Sequence, residues 1–100
     1  MYGINEKVYN NIICYFNENN KIEEVILFGS RAKGNYTYNS DIDLCIKCSS
    51  KVKGTVKEEI DEIIGIYSCD IVFFDNLNDE IKKQVERDGI RLFPISIVKK

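Results

Sequence analysis

Histidine is absent from this chain. Without an imidazole there is no Ser-His or Cys-His nucleophile and no histidine-bound metal. Carboxylates, hydroxyls, lysine, arginine and bound ions remain as the reactive inventory. A basic surface is missing too: 14 Lys and Arg against 16 Asp and Glu leave a net charge of −2. Broad adhesion to nucleic acid needs the opposite sign, so nucleic acid is not the expected partner. Apolar runs last only a few residues, too short for a helix that spans a bilayer. The opening MYGINEKVYNN has neither the basic nor the apolar region of a secretory signal, and the expected location is cytoplasmic. Repeats, linkers and low-complexity segments are also lacking.

Cysteine is present, but not in a metal-binding pattern. Of Cys14, Cys45, Cys48 and Cys69, only Cys45 and Cys48 form a CxxC, with no second pair to complete four ligands. Buried, reduced thiols are expected, with Cys14 among helix-core positions and Cys45 and Cys69 inside strands.

One hundred residues, 44% of them apolar, suit one domain over residues 1–100 with a core two layers thick. Ile4, Val8, Ile12 and Phe16 recur at helical spacing and predict a helix over 4–18. The β-branched and aromatic run IEEVILF predicts a buried strand over 22–28. Gly29-Ser30 breaks that run, Ser30 is placed to cap a short helical turn, and Gly34 ends it. DIDLCIK (41–47) reads as a strand with aspartates on one face and Ile42, Leu44 and Ile46 on the other. A helix over 55–66 buries Val56, Ile60, Ile63 and Ile64, and CDIVFF (69–74) is a third strand. A helix over 77–89 buries Leu77, Ile81 and Val85 and stops at Gly89. IRLFPI adds an edge strand, a place that tolerates the single proline, Pro94. The order predicts an α/β fold of the α+β kind, a small mixed sheet packed against helices.

Chemistry concentrates in LFGSRAKGNYTYNSDIDL, residues 27–44. Gly29 has no side chain, so a ligand can approach the backbone where the strand ends. The amides that follow, with the Ser30 hydroxyl, suit phosphate oxygens. Asp41 and Asp43 fall on one side of a strand, two like charges roughly 6.5 Å apart at their Cα atoms. Unpartnered, they repel; a hard cation, which prefers oxygen ligands, resolves the conflict. Asp70 opens the next strand and reaches the same cation if the two strands pair side by side. Asp75 is the rival third carboxylate, with opposite parity and at the far end of the strand.

GSRAKG, a gap of ten residues, DID within SDIDL, and a later strand-borne Asp70 together resemble the signature of nucleotidyltransferases related to DNA polymerase beta. GSRAKG with SDIDL is most similar to the minimal nucleotidyltransferase group of that family. Lys33 stands where that group often has arginine, and KKQVERDGIRLF is similar to its closing helix, glycine and strand. The resemblance implies the nucleotidyltransferase fold and transfer of a nucleoside monophosphate, from ATP as donor, to an acceptor hydroxyl. It implies two Mg²⁺ ions on Asp41, Asp43 and Asp70, Asp70 also directing the acceptor, with Gly29 and Ser30 cradling the triphosphate. Arg31 and Lys33 are candidates to neutralise phosphate charge, Arg31 the better one because a guanidinium binds phosphate bidentately. Ser40, which opens SDIDL, completes the candidate nucleotide-binding set. Tyr36 and Tyr38 either stack on a base or cover apolar edges.

Minimal members of the group are commonly paired with a helical HEPN-type protein as the antitoxin of a toxin–antitoxin system. The implied acceptor is a tyrosine on that partner. The alternatives are a nucleotide-binding module that neutralises its partner by contact alone, and the detached catalytic half of an enzyme that modifies a small molecule or RNA.

Overall fold

The computed structural model describes residues 1–94. Helix α1 spans Glu6–Glu18 and strand β1 spans Ile22–Phe28. A short helix α2, Ser30–Lys33, leads through a loop to β2, Ile42–Cys48. Helix α3 (Lys53–Ile64), strand β3 (Cys69–Phe73), helix α4 (Asp79–Asp88) and strand β4 (Ile90–Phe93) follow. The four strands form one sheet in the order β3-β2-β1-β4. β1 runs antiparallel to β2 and β4, and β3 runs parallel to β2, so the sheet is mixed as expected.

Parity assigns the two faces. Val25 and Leu27 of β1 pair with Ile46 and Leu44 of β2, and all four are buried. Onto that face, to which β4 contributes Leu92, fold Ile4, Ile12 and Phe16 of the N-terminal segment and α1, with Ile64 of α3. Val56, Ile60 and Ile64 make the buried stripe of α3. Burying such apolar surface, worth roughly 25 cal/mol per Å², is what holds the layers together. The opposite face carries α4, which packs chiefly on β1; a side chain at Gly89 would run into Ile26.

Several boundaries move for local reasons. α1 begins at Glu6, not Ile4, because the Asn5 side chain accepts from the amides of Lys7 and Val8 and sets the start. α4 begins at Asp79, not 77, because Asn78 accepts from the Ile81 amide. α3 starts two residues early and ends at Ile64, which leaves Ile66 93% exposed. Leu77, Ile81 and Val85 are only half-buried, since α4 has one strand beneath it rather than a core. Cys14, expected inside, is exposed, while Cys45 is buried and Cys48 and Cys69 are half-buried. The expected end strand stops at Phe93; its last residue, Ile95, lies outside the described residues.

Candidate active site

The end of β1 and the starts of β2 and β3 meet at one end of the sheet, along the strand direction. Asp43 is the register partner of Phe28 on one side and of Asp70 on the other. Register partners point to the same face of a sheet, so the two carboxylates share the surface opposite Ile42 and Leu44. Asp41 comes one residue before β2 and is exposed, and Ile42 is tied to the chain before β3 by a 2.8 Å bond from its amide to the Ser68 carbonyl.

Electrostatics record the convergence. Burial, then the charges of Asp70 and Asp41, push the Asp43 carboxyl up to about 6, with Arg31 opposing. The neighbouring Cys69 thiol is pushed up to about 12, first by burial and then by surrounding carboxylates, so it stays protonated. What this end of the sheet offers a cation is therefore carboxylate oxygen, the donor that suits Mg²⁺. Among the described residues, however, no three such side chains close into a ready-made metal cage.

Gly29 is fixed by two constraints at once. Its φ of +77° is a conformation that side chains disfavour, and a Cβ there would overlap the Asp43 carboxylate, with Cγ at 2.9 Å. The glycine thus lets the turn after β1 lie directly against Asp43. Gly29, not Ser30, is the N-cap of α2, and Ser30 is its first helical residue, a correction to the expected capping role. The first amide to close back is Lys33, onto the Gly29 carbonyl at 3.1 Å, so the amides before it are unspent within the helix.

Arg31, Ser40 and Lys33, the remaining expected nucleotide ligands, differ in their surroundings. Arg31 is 1% exposed, and its guanidinium donates to the carbonyls of Ser40, Tyr38 and Tyr2. Ser40 serves its own loop: its hydroxyl accepts from the Thr37 amide at 2.9 Å and its carbonyl accepts from Arg31. Lys33 is exposed in the last turn of α2. Tyr36 packs on Arg31, while Tyr38 is 87% exposed beside a cleft of about 240 Å³ bounded by Tyr38–Ser40 and Ile66–Ser68. Asp75, the rival carboxylate, pairs with Lys53 at 2.7 Å, away from this end.

Sequence reasoning missed Tyr67 and the N-terminal Tyr2-Gly3. Tyr67 lies against Arg31, and its hydroxyl accepts from the Asn5 amide at 2.8 Å. No local pattern marks either; only the fold brings them to the loop.

A mixed four-stranded sheet with a glycine turn against paired aspartates defines a class, and sequence comparison agrees. The chain belongs to the family described as Polymerase beta, Nucleotidyltransferase, whose sequence model matches residues 10–96. Among solved structures, the chain is similar to one described as a toxin–antitoxin with AMP-PNP, at 23% identity and a TM-score of 0.67 over 85% of this chain and 72% of that one. It is similar to a toxin–antitoxin MntA–HepT structure at 20% identity and a TM-score of 0.62, over 89% and 72%. A Shewanella oneidensis complex of a tri-AMPylated HEPN toxin with an MNT antitoxin gives 19%, a TM-score of 0.61, and 86% and 69%. No curated protein sequence matches.

Proposed function

We propose that this chain is a cytoplasmic antitoxin that transfers AMP from ATP to a tyrosine hydroxyl of a HEPN-type toxin. The observation that carries the reading is the register that sets Asp43 beside Asp70 while Gly29 abuts Asp43. Phosphate turn and carboxylates then share one end of the sheet. Family membership supports nucleotidyl transfer. The acceptor and base are suggested by the fold neighbours with AMP-PNP and with an AMPylated HEPN toxin.

In this reading the backbone at Gly29 and Ser30 holds the triphosphate, and Asp41, Asp43 and Asp70 hold Mg²⁺. Bound there, Mg²⁺ supplies charge neutralisation between carboxylates and phosphates and Lewis-acid activation of the acceptor. The acceptor oxygen bonds to the α-phosphorus, the bond to the pyrophosphate oxygen breaks, and the hydroxyl proton leaves to solvent. Asp70, exposed at the start of an edge strand, orients the incoming hydroxyl from the side open to a partner.

Incubation with labelled ATP, Mg²⁺ and the HEPN-type partner is expected to label a partner tyrosine, and an Asp41→Asn, Asp43→Asn double variant to label none. Absence of label from the folded wild type would overturn the transfer reading. A second reading, neutralisation by contact alone, is supported by fold neighbours that are toxin–antitoxin structures. Undiminished neutralisation of the toxin by the double variant would select it.

A further inference from the structure

Arg31 is the one buried charged residue among those described, and it is placed unlike an ordinary loop cation. Its Nε and Nη2 donate to the Ser40 carbonyl at 3.2 and 2.8 Å, Nη2 also to the Tyr38 carbonyl at 3.2 Å, and Nη1 to the Tyr2 carbonyl at 3.0 Å. The rings of Tyr36 and Tyr67 lie against it at 5.4 and 5.3 Å. Among the described residues no carboxylate forms an ion pair with it. A charge buried without a counter-ion is costly unless its donors are satisfied, and here the carbonyls satisfy them.

The partners of Arg31 come from each part of the site. Arg31 itself belongs to α2, directly after the Gly29-Ser30 turn. Ser40 immediately precedes Asp41, and Tyr67 stands three residues before Asp70. Tyr2 and Gly3 close the arrangement from the N-terminus: Tyr2 has a φ of +56°, rare for a side-chain-bearing residue, and a Cβ on Gly3 would strike the Tyr36 ring. An ammonium in place of the fork would keep the charge but lose the planar set of donors that spans Tyr2, Tyr38 and Ser40 together.

We infer that Arg31 is a positioning residue: its guanidinium sets the spacing between the phosphate turn, Asp41 and the start of β3, and makes no contact with the nucleotide. This rests on the nucleotidyltransferase reading above. Misplacing these parts leaves the turn able to hold a triphosphate but no longer aligned with the carboxylates. Orientation errors of this kind fall on turnover rather than on uniform binding.

The test compares the full-length wild type with Arg31→Lys and with Tyr36→Leu, which removes one ring from the guanidinium but leaves its carbonyl bonds. Folding is checked by circular dichroism and thermal melting. The expected result is a tenfold or greater loss of kcat in Arg31→Lys, with KM for ATP within threefold of wild type, and a smaller loss of kcat in Tyr36→Leu. A tenfold rise in KM with kcat kept would make Arg31 a phosphate ligand and overturn the inference. A lower melting temperature with both constants kept would make it merely structural and overturn it equally. Should Arg31→Lys fail to fold, Tyr36→Leu decides on the same split.

Calorimetry with AMP-PNP separates this inference from the transfer reading. Mg²⁺ is expected to tighten AMP-PNP binding to the wild type, and Arg31→Lys is expected to bind AMP-PNP without Mg²⁺ as well as wild type while losing that tightening. Tightening retained in the variant overturns the positioning role, whether or not any acceptor is labelled. A wild type that shows the tightening but labels nothing overturns only the transfer reading.

Discussion

At Asp43 a half-buried carboxyl sits between two others, and its proton is held up to about pH 6 in the folded chain. In the unfolded chain an aspartate releases it near 3.9. Between those values the folded state binds more protons at Asp43, so the contribution of Asp43 to stability falls as pH rises from about 4 to about 6 and stays lower above that. Asp43→Asn removes the penalty. In buffer free of divalent ions the variant should be more stable than wild type at pH 7 by roughly 1–3 kcal/mol, and equal to it near pH 4. Urea denaturation at the two pH values measures the difference, and an equal or lower midpoint at pH 7 contradicts it. Under the proposed function, transfer should be lost in the same variant. The alternation of aspartate with isoleucine was enough to place Asp43 opposite Ile42 and Leu44. Arg31 was not legible in that way: beside a phosphate turn a lone cation reads as a phosphate ligand. Its burial depends on carbonyls at Tyr2, Tyr38 and Ser40, which local sequence does not bring together.

Helices and strands here differ in what secures them. α3 is anchored by Val56, Ile60 and Ile64, each at most 2% exposed, whereas α4 has no fully buried residue. Ile60→Ala removes side-chain volume from a packed seam and should cost about 2–5 kcal/mol, seen as a lower melting temperature. Asn78→Ala takes only a cap from α4 and should cost about 1 kcal/mol, with faster amide exchange confined to that helix. A loss at Ile60 no larger than the loss at Asn78 would mean that the buried stripe of α3 adds no more stability than the cap of α4. The helical periodicity of α3 and the strand character of β1 were plain because burial is strong there. The starts of α1 and α4 were misplaced because apolar residues precede the caps, and a hydrophobic stripe says where a helix packs, not where its amides find acceptors.

Over the whole molecule the strand directions explain why the site lies at the ends of the strands. β2 and β3 are parallel and adjacent, and the antiparallel β1 brings its C-terminal end to where both of them begin. A ligand that bridges the turn and the carboxylates can bind only the folded chain, so it must raise the melting temperature. At a hundred times its dissociation constant, AMP-PNP with Mg²⁺ should add about 2.7 kcal/mol. Asp43→Asn and Asp70→Asn should each reduce the increment, and differential scanning fluorimetry reads it. An increment unchanged in both variants would place the nucleotide elsewhere. Fold class was legible as a whole because the alternation of helix and strand signals leaves few layer arrangements. The strand order rests on pairings distant in sequence, and no short window encodes it.

The parallel pairing of β2 with β3 has a consequence for assembly in time. Asp43 and Asp70 are neighbours only after the chain has travelled out along β2, back through α3, and into place beside its starting strand. A nascent or partly unravelled chain that has formed the β1–β2 hairpin already owns the glycine turn and two of the acidic groups, yet lacks the third. The third carboxylate therefore depends on the crossover through α3, and a chain in which β3 is not docked lacks the Asp43–Asp70 pair even where β1 and β2 remain paired.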